Sequence, residues 1–243
     1  MYKFMIILAL LPAVLVGQNP SAAKIIEQID RNMASENRVM TATMIVHGQR
    51  DDRSMEMKTW SEGDKKSFTE YLSPARDKGT KMLKLADQLW MYAPSADRII
   101  QISGHMLRQS VMGSDLSYED MMDDRKLTDI YNAVVIGPDI IDGRNCWVLE
   151  LRAKADDVAY FMLKMWIDQE RNIPLKEEWY AKAGKLLKQT TLSEVKKIDG
   201  RWFPTKMIYK DMLKTGGGTE FIINDIKFNT SIPESIFSKA VLR

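Results

Sequence analysis

Cysteine and histidine are scarce in this chain of 243 residues, which has one cysteine and two histidines. A single thiol cannot close an internal disulfide, and Cys146 lies in the apolar string CWVLEL, so we predict a small core residue on a strand. A zinc site would need His47, His105 and Cys146 together, and their positions show none of the usual ligand spacings. We therefore expect neither a disulfide framework nor a metal or other cofactor.

An excess of either charge is also lacking, because 35 basic and 33 acidic side chains give a formal net charge of +2. Such a balance supplies no basic face for nucleic acid. The glycine string KTGGGTE precedes a predicted strand, whereas a phosphate cradle needs a helix N-terminus after its glycines. MGSDLS lacks the Gly-x-Ser-x-Gly frame of a serine hydrolase, and only His105 could act as its base. We predict a protein that is not an enzyme and does not bind nucleic acid.

Long hydrophobic runs are missing outside the first residues. MYKFMIILALLPAVLVGQ has the parts of a secretory signal: a positive start at Lys3, an apolar run over residues 4–16, and small Gly17 for cleavage. The run is shorter than the roughly 20 apolar residues of a membrane span. We predict that residues 1–17 are a cleaved signal peptide and that the mature chain enters a bacterial periplasm. An uncleaved anchor is the alternative.

The rest of the chain has two periodicities. Residues 19–38 carry an apolar stripe at helical spacing, which predicts one amphipathic helix. From residue 39 to residue 228, apolar and polar side chains alternate in short runs, which predicts antiparallel strands in a meander. We predict a mainly β protein of the α+β class, with about eleven strands and at most thirteen, in a single domain over residues 18–243. Its turn signals include Asp142–Gly143, Ala183–Gly184 and Gly216–Gly218.

One long segment, residues 103–130, interrupts the strand pattern. In a compact domain, more than about fifteen residues without strand character usually form a lid, a binding loop or an inserted helix. Within this segment, Ser117 and Asp120 have the Ser-x-x-Asp spacing of a capping box. Glu119 and Asp120 would then place negative charge at the positive end of a helix. We predict a short capped helix here.

Methionine is abundant, with 17 residues, and six tryptophans accompany it. Flexible methionines are common on surfaces that accept several apolar ligands, although for any single methionine the ordinary explanation is burial in the core. A sheet of so many strands, closed or half-closed into a barrel, tends to enclose more room than its side chains fill. The residues therefore indicate an apolar cavity.

Several longer strings resemble known proteins over nearly all of the mature chain. LWMYAPSADRI is similar to a stretch of the periplasmic lipoprotein carriers of the LolA/LolB type. VMGSDLSYEDM resembles the signature of the outer membrane lipoprotein-sorting protein family. The strings MWIDQERNIPLKEEWYAKAGKLLKQ, DGRWFPTKM and NTSIPESIFSKAVL fit the same family.

The resemblance implies a strongly curved antiparallel sheet that forms an incomplete barrel, with the N-terminal helix and short helices covering its mouth. It also implies that the concave face receives acyl chains, taken from an inner-membrane transporter without consumption of a nucleotide. The hypothesis is a periplasmic carrier or chaperone for lipoproteins or another lipid, a monomer in transient contact with membranes. The alternative is an envelope-sensing regulatory or interaction protein on the same fold.

The predicted cavity lining combines strand positions with positions on the interrupting segment. An acyl chain gains about 0.8 kcal/mol per buried methylene, so an apolar lining is sufficient for binding. The predicted lining residues are Met44, Trp60, Phe68, Leu85, Trp90, Tyr92, Met112, Leu116 and Met121.

Overall fold

The computed structural model describes residues 20–123 and 126–243, so the predicted signal peptide over residues 1–17 lies outside the described residues. Within these ranges the chain forms thirteen strands, short 3-10 turns and three α-helices. The helices are α1 (Ala22–Met33), α2 (Tyr118–Met122) and α3 (Leu127–Ile130). None of these described helices has the length and apolar character that a membrane crossing requires.

All thirteen strands belong to one antiparallel sheet, and their order across it is β6-β5-β4-β3-β2-β1-β13-β12-β11-β10-β9-β8-β7. Strands β6 and β7 are therefore the two edges of an open sheet. The mainly β class is confirmed. The described residues form thirteen strands, whereas the sequence predicts about eleven, because two strands joined by a tight turn are easily counted as one when strands are read from the alternation of side chains. The strands are β1 (Asn37–His47), β2 (Asp52–Glu62), β3 (Lys66–Ser73), β4 (Lys81–Leu85), β5 (Gln88–Ala93), β6 (Arg98–Ile102), β7 (Tyr131–Ile141), β8 (Arg144–Ala153), β9 (Met162–Asp168), β10 (Pro174–Tyr180), β11 (Leu186–Ile198), β12 (Arg201–Asp211) and β13 (Gly218–Phe228).

The predicted turn signals lie where the chain reverses direction. Asp142 and Gly143 connect β7 to β8 with φ angles of 48° and 74°. This left-handed region costs glycine nothing, and aspartate tolerates it better than most residues. Residues 181–185 connect β10 to β11, and there the Gly184 N–H donates to the Ala181 carbonyl at 2.9 Å. These confirmed turns explain why successive strands are neighbours in the sheet.

The strand register gives the sheet two faces. Met44 of β1 is paired with Met55 of β2 and with Phe221 of β13, and side chains at alternate positions continue this face across the sheet. We call it the inner face, because helices α1 and α2 pack on it. The opposite face, which carries Trp60 and Trp166, is the outer face.

Helix α1 lies on the inner face over β7, β8 and β9. Its predicted apolar stripe is confirmed, because Ile25, Ile26 and Ile29 are buried against apolar side chains of these strands. Each buried isoleucine contributes about 1.5–3 kcal/mol. The end of the helix is anchored by Asn32, whose Nδ2 donates to the carbonyl of Arg171 at 2.9 Å.

Residues 103–123, the covering segment, lie over the other half of the inner face. The predicted capping box at helix α2 is confirmed. Ser117 Oγ accepts a hydrogen bond from the Asp120 N–H at 3.2 Å, and the Asp120 carboxylate accepts one from the Ser117 N–H at 2.7 Å. The next residue, Tyr118, is buried in an apolar cluster with side chains of β1 to β5. The short helix is therefore held by packing as well as by its cap.

The C-terminal residues cover part of the outer face. Phe237 and Leu242 are buried against outer-face side chains that include Leu83 and Trp90. Lys81 Nζ donates to a main-chain carbonyl in the same segment at 2.8 Å. Both faces of strands β2 to β5 are therefore covered, by different parts of the chain.

Candidate ligand-binding cavity

A cavity of about 440 Å³ lies between the inner face and the covering segment. Its walls come from strands β1 to β4, β12 and β13, from the end of helix α1 and from the covering segment. The volume is within the range of roughly 300–1,000 Å³ that ligand sites occupy. Two hollows of similar size at the rim of the covering segment are lined largely by charged and polar side chains. The inner-face cavity is therefore the candidate site for an apolar ligand.

One side of the cavity is apolar. Methionines and phenylalanines from the sheet face apolar side chains of the covering segment, and such flexible side chains can adapt to ligands of different shape. The sheet and helix α1 contribute Met33, Met40, Met44, Met57, Phe203, Met207, Phe221 and Ile223, and the covering segment contributes Val111, Leu116 and Met121.

The other side carries polar side chains that run across four neighbouring strands. The register pairs Arg38 with Ser61, Ser61 with Ser67, and Ser67 with Lys84, and all four line the cavity. Neighbouring strands are about 4.8 Å apart, so the two serines lie side by side between two cationic residues. We call these four residues the polar row.

The two cations of the polar row have different surroundings. Lys84 Nζ donates to the carbonyl of Met122 at 3.3 Å and so ties the end of helix α2 to β4. Arg38, by contrast, makes no hydrogen bond or ion pair within the described part of the chain. Burial lowers the pKa of Arg38, and Asp64 and Tyr209 offset that effect only in part. Arg38 is therefore a half-buried cation that faces the cavity without a counter-charge in contact.

Asp120 connects the covering segment to distant parts of the chain. Its carboxylate accepts hydrogen bonds from Tyr160 Oη, at 2.6 Å, and from Lys188 Nζ on β11, as well as from Ser117. Burial favours a higher pKa, but the Lys188 charge and the hydrogen bonds from Lys188, Tyr160 and Ser117 outweigh it. They hold the pKa of Asp120 below its usual value. The aspartate is thus ionised and fixes helix α2 over the sheet.

Asp115 makes a second connection between the covering segment and the sheet. Its Oδ2 accepts a hydrogen bond from Thr219 Oγ1 at 2.7 Å, and the Asp115 N–H donates to Thr219 Oγ1 at 2.9 Å. Its Oδ1 accepts from the Asp211 N–H at 2.9 Å. Asp115 and Thr219 are both buried. Side-chain hydrogen bonds therefore hold this wall of the cavity against β12 and β13.

The structure brings together four of the nine lining residues that the sequence predicts. Met44, Leu116 and Met121 line the cavity, and Met112 packs in the adjoining apolar cluster without lining the cavity itself. Three of the four belong to the covering segment, which the sequence singled out because it interrupts the strand pattern.

The other five predicted residues lie on the outer face, so they do not line this cavity. They pack with Phe237 and Leu242 of the C-terminal segment. Strand periodicity separates the residues into two faces, but it does not identify the face that bounds a cavity. These five residues are Trp60, Phe68, Leu85, Trp90 and Tyr92.

The polar row was missed by sequence reasoning, which placed Arg38 in a helix over residues 19–38, whereas helix α1 ends at Met33 and Arg38 lies on β1. A signal was present, because Ser61 stands four residues after Met57 on one strand and therefore shares its face. Once a methionine of β2 is placed inside, Ser61 follows it there, and the pairing partners Arg38 and Ser67 come with it.

Cys146 and His47 do not belong to a metal-binding cluster of the described residues. Cys146 is completely buried, as predicted, and burial raises the pKa of its thiol to about 11. His47 Nδ1 lies 2.7 Å from the Asp52 carboxylate at the end of β1. Across residues 20–123 and 126–243, no group of three or more His, Cys, Asp or Glu side chains is placed to hold a metal ion.

Comparison with solved structures places this open antiparallel sheet, with its covered inner face and the cavity beneath it, among LolA-like folds. A DUF1329 family protein from Desulfovibrio piger has a TM-score of 0.82 and 24% sequence identity, covering 90% of this chain and 97% of that chain. A domain described as an outer membrane lipoprotein-sorting protein from Vibrio parahaemolyticus has a TM-score of 0.78 and 27% identity, covering 90% and 97%. A LolA superfamily protein from Nitrosomonas europaea has a TM-score of 0.74 and 24% identity, covering 91% and 99%.

The family comparison covers most of the chain. The model of a family described as "Uncharacterized protein" matches residues 63–243. No protein of curated function matches the chain. The chain therefore belongs to this family, and its structural neighbours confirm the predicted resemblance to LolA-like proteins.

Proposed function

We propose that the protein is a periplasmic carrier or chaperone that binds the acyl chain of a lipoprotein or of another lipid. The observation that carries the proposal is the cavity of about 440 Å³ beneath the covering segment, with an apolar side of methionines and phenylalanines. Each methylene that leaves water for this environment contributes about 0.8 kcal/mol, so an acyl chain binds without a covalent step. Proteins of this carrier fold are in general not enzymes.

A carrier of this kind needs a donor and an acceptor for its cargo. We propose that an inner-membrane transporter delivers the lipid and that the protein, as a monomer, releases it at the outer membrane after transient contact. The neighbour described as an outer membrane lipoprotein-sorting protein domain supports this direction of transport and the periplasmic location. The predicted signal over residues 1–17 is consistent with it.

The proposal is tested by identifying what the protein binds. The full-length protein, expressed with its own N-terminal segment and purified from a bacterial periplasm, is expected to carry lipid that native mass spectrometry detects. A fluorescent fatty acid is expected to bind the delipidated protein and to be displaced by that lipid. The absence of co-purified lipid, together with no binding of the fluorescent fatty acid, would contradict a carrier function.

Two leucines offer a matched pair of variants that tests the location of the site. Leu116 and Leu85 are both half-buried, but Leu116 lines the cavity and Leu85 lies on the outer face. Leu116→Trp is expected to fill the cavity and to weaken fatty-acid binding at least about tenfold, the effect of roughly two lost methylene contacts. Leu85→Trp should leave binding unchanged. The reverse result would move the site to the outer face.

A further inference from the structure

The polar row extends the proposed function to the chemistry of the cargo. Its central residues, Ser61 and Ser67, are paired across β2 and β3, and neither hydroxyl has a hydrogen-bond partner within the described part of the chain. Arg38 is paired with Ser61 in the neighbouring strand. Two hydroxyl groups and a guanidinium, all without partners within the described residues, therefore stand next to one another on the polar side of the cavity.

An unpaired cation in this position costs free energy, because its hydration is partly lost and nothing replaces it. Asp64 is the carboxylate that acts on the pKa of Arg38, but it is exposed and makes no ion pair with Arg38. The buried and half-buried charges of the lining other than Arg38 already have partners. Lys66 pairs with Glu62 at 2.8 Å, and Asp120 is held by Lys188. Arg38 is thus the charge on the cavity wall that a ligand can satisfy.

We propose that the cavity binds an amphiphile with an anionic head group, and that Arg38, Ser61 and Ser67 hold that group while the acyl chain lies among the methionines. This inference rests on the proposed function, because it concerns the same cavity. A guanidinium and two hydroxyls supply several donors directed at carboxylate or phosphate oxygens. An acyl chain attached through a neutral ester or amide would leave these donors unpaired. The cargo class is therefore a fatty acid or an alkyl phosphate. Neutral glycerides and the ester- and amide-linked chains of lipoproteins are excluded, so the inference selects the other-lipid branch of the proposed function.

The position of Lys84 adds to the selection without direct contact. It stands at the opposite end of the polar row and remains bonded to the main chain of helix α2. Its positive charge raises the potential over the two serines, and charges of one sign on low-dielectric walls concentrate ions of the other sign. A bound anion would lie between Arg38 and Lys84.

The test compares ligands that share one chain length and differ in the head group. An uncharged dye, 1-N-phenylnaphthylamine, reports occupancy of the cavity in the full-length protein, and laurate, dodecyl phosphate and dodecanol compete with it. We expect the preferred anion to bind at least about tenfold more tightly than dodecanol, the usual effect of one charge-assisted hydrogen bond. Preference for laurate identifies a carboxylate cargo and preference for dodecyl phosphate a phosphate cargo. Either preference supports the inference.

Variants assign the preference to Arg38. Arg38→Gln is expected to remove the difference between anion and dodecanol while leaving dodecanol affinity unchanged, and Arg38→Lys is expected to retain part of the difference. Arg152→Gln is the matched control, since Arg152 is exposed and pairs with Glu150 away from the cavity. Equal binding of dodecanol and both anions, or an anion preference that survives Arg38→Gln, would overturn the inference and leave the carrier function standing. If the dye and all three competitors fail to bind, the proposed function fails as well.

Discussion

The Asp120 network supports a quantitative prediction about the covering segment. In Asp120→Asn the side chain keeps an oxygen that can accept from the Ser117 N–H, but it loses its charge. Lys188 is then left with no counter-ion, although only 16% of its side chain is exposed. Breaking a fully buried pair in this way costs about 3–5 kcal/mol. Because both side chains retain some exposure, we expect about 2–3 kcal/mol for this pair.

The loss should appear first in the covering segment and not in the whole sheet. Helix α2 has only five residues, so it stays formed through its contacts and its cap. Hydrogen exchange of the amides of residues 117–123 is expected to accelerate by about thirtyfold or more in Asp120→Asn, which corresponds to the expected free energy. Urea denaturation measures how much of the loss reaches global unfolding.

A double-mutant cycle separates the ion pair from the cap. Ser117→Ala removes a cap oxygen and should cost about 1 kcal/mol. Adding Lys188→Met to Asp120→Asn should recover a large part of the loss, because the stranded charge is removed. Additive effects of Asp120→Asn and Lys188→Met, each below about 0.5 kcal/mol, would refute the assigned role of the pair.

The ion pair of Asp120 and Lys188 also makes the stability of the covering segment depend on pH. Since the folded-state pKa of Asp120 lies below its usual value, the carboxylate contributes stability above about pH 4, the unfolded value, and loses it as the pH falls through the folded pKa. The wild-type segment should open below about pH 4, whereas Asp120→Asn should exchange at a rate that depends little on Asp120 titration.

Further predictions concern stability and reactivity. Thr219→Val keeps the shape of the side chain but removes two hydrogen bonds of buried Asp115, so urea denaturation should show a loss of about 2 kcal/mol. Asp168→Asn breaks the paired contacts of the completely buried Asp168 with Arg144, at 2.7 and 2.9 Å, and should cost about 3 kcal/mol by the same measurement. Cys146 should resist Ellman's reagent at pH 8 in the native state and react fully in urea, because its thiol is buried and its pKa is raised to about 11. Burial raises the pKa of Glu177 to about 7, so the wild type should lose stability between about pH 4.5 and 7. Glu177→Gln should therefore raise the melting temperature at pH 8 more than at pH 5.

The elements that local physics determines could be predicted from the sequence. The stripe of Ile25, Ile26 and Ile29 defines a helix, and the Asp142–Gly143 turn defines a hairpin, because each depends on neighbours along the chain. The capping box at Ser117 is of the same kind, since both of its hydrogen bonds span three residues. Such features need no knowledge of the rest of the fold.

The candidate site could be predicted only in part, because it depends on contacts between distant segments. Trp60 and Met57 are three residues apart on one strand and lie on opposite faces. Residues 103–123 pack over the inner face and residues 232–242 pack on the outer face. These two long-range contacts determine which face bounds the cavity. The aromatic residues selected from the sequence are on the side that the C-terminal segment fills.

The location of the cavity follows from the difference between the two covers of the inner face. Helix α1 is three turns long, and its isoleucines fill the space over β7 to β9 so completely that Leu149, Leu151 and Leu163 have no exposed surface. Helix α2 is too short to do the same over β1 to β4, and the side chains below it include the serines of the polar row. Short side chains under a short helix leave room, and that room is bounded by flexible methionines. The half of the sheet under the long helix stabilises the fold, and we expect the half that is covered through side-chain hydrogen bonds to be the one that opens when a ligand enters.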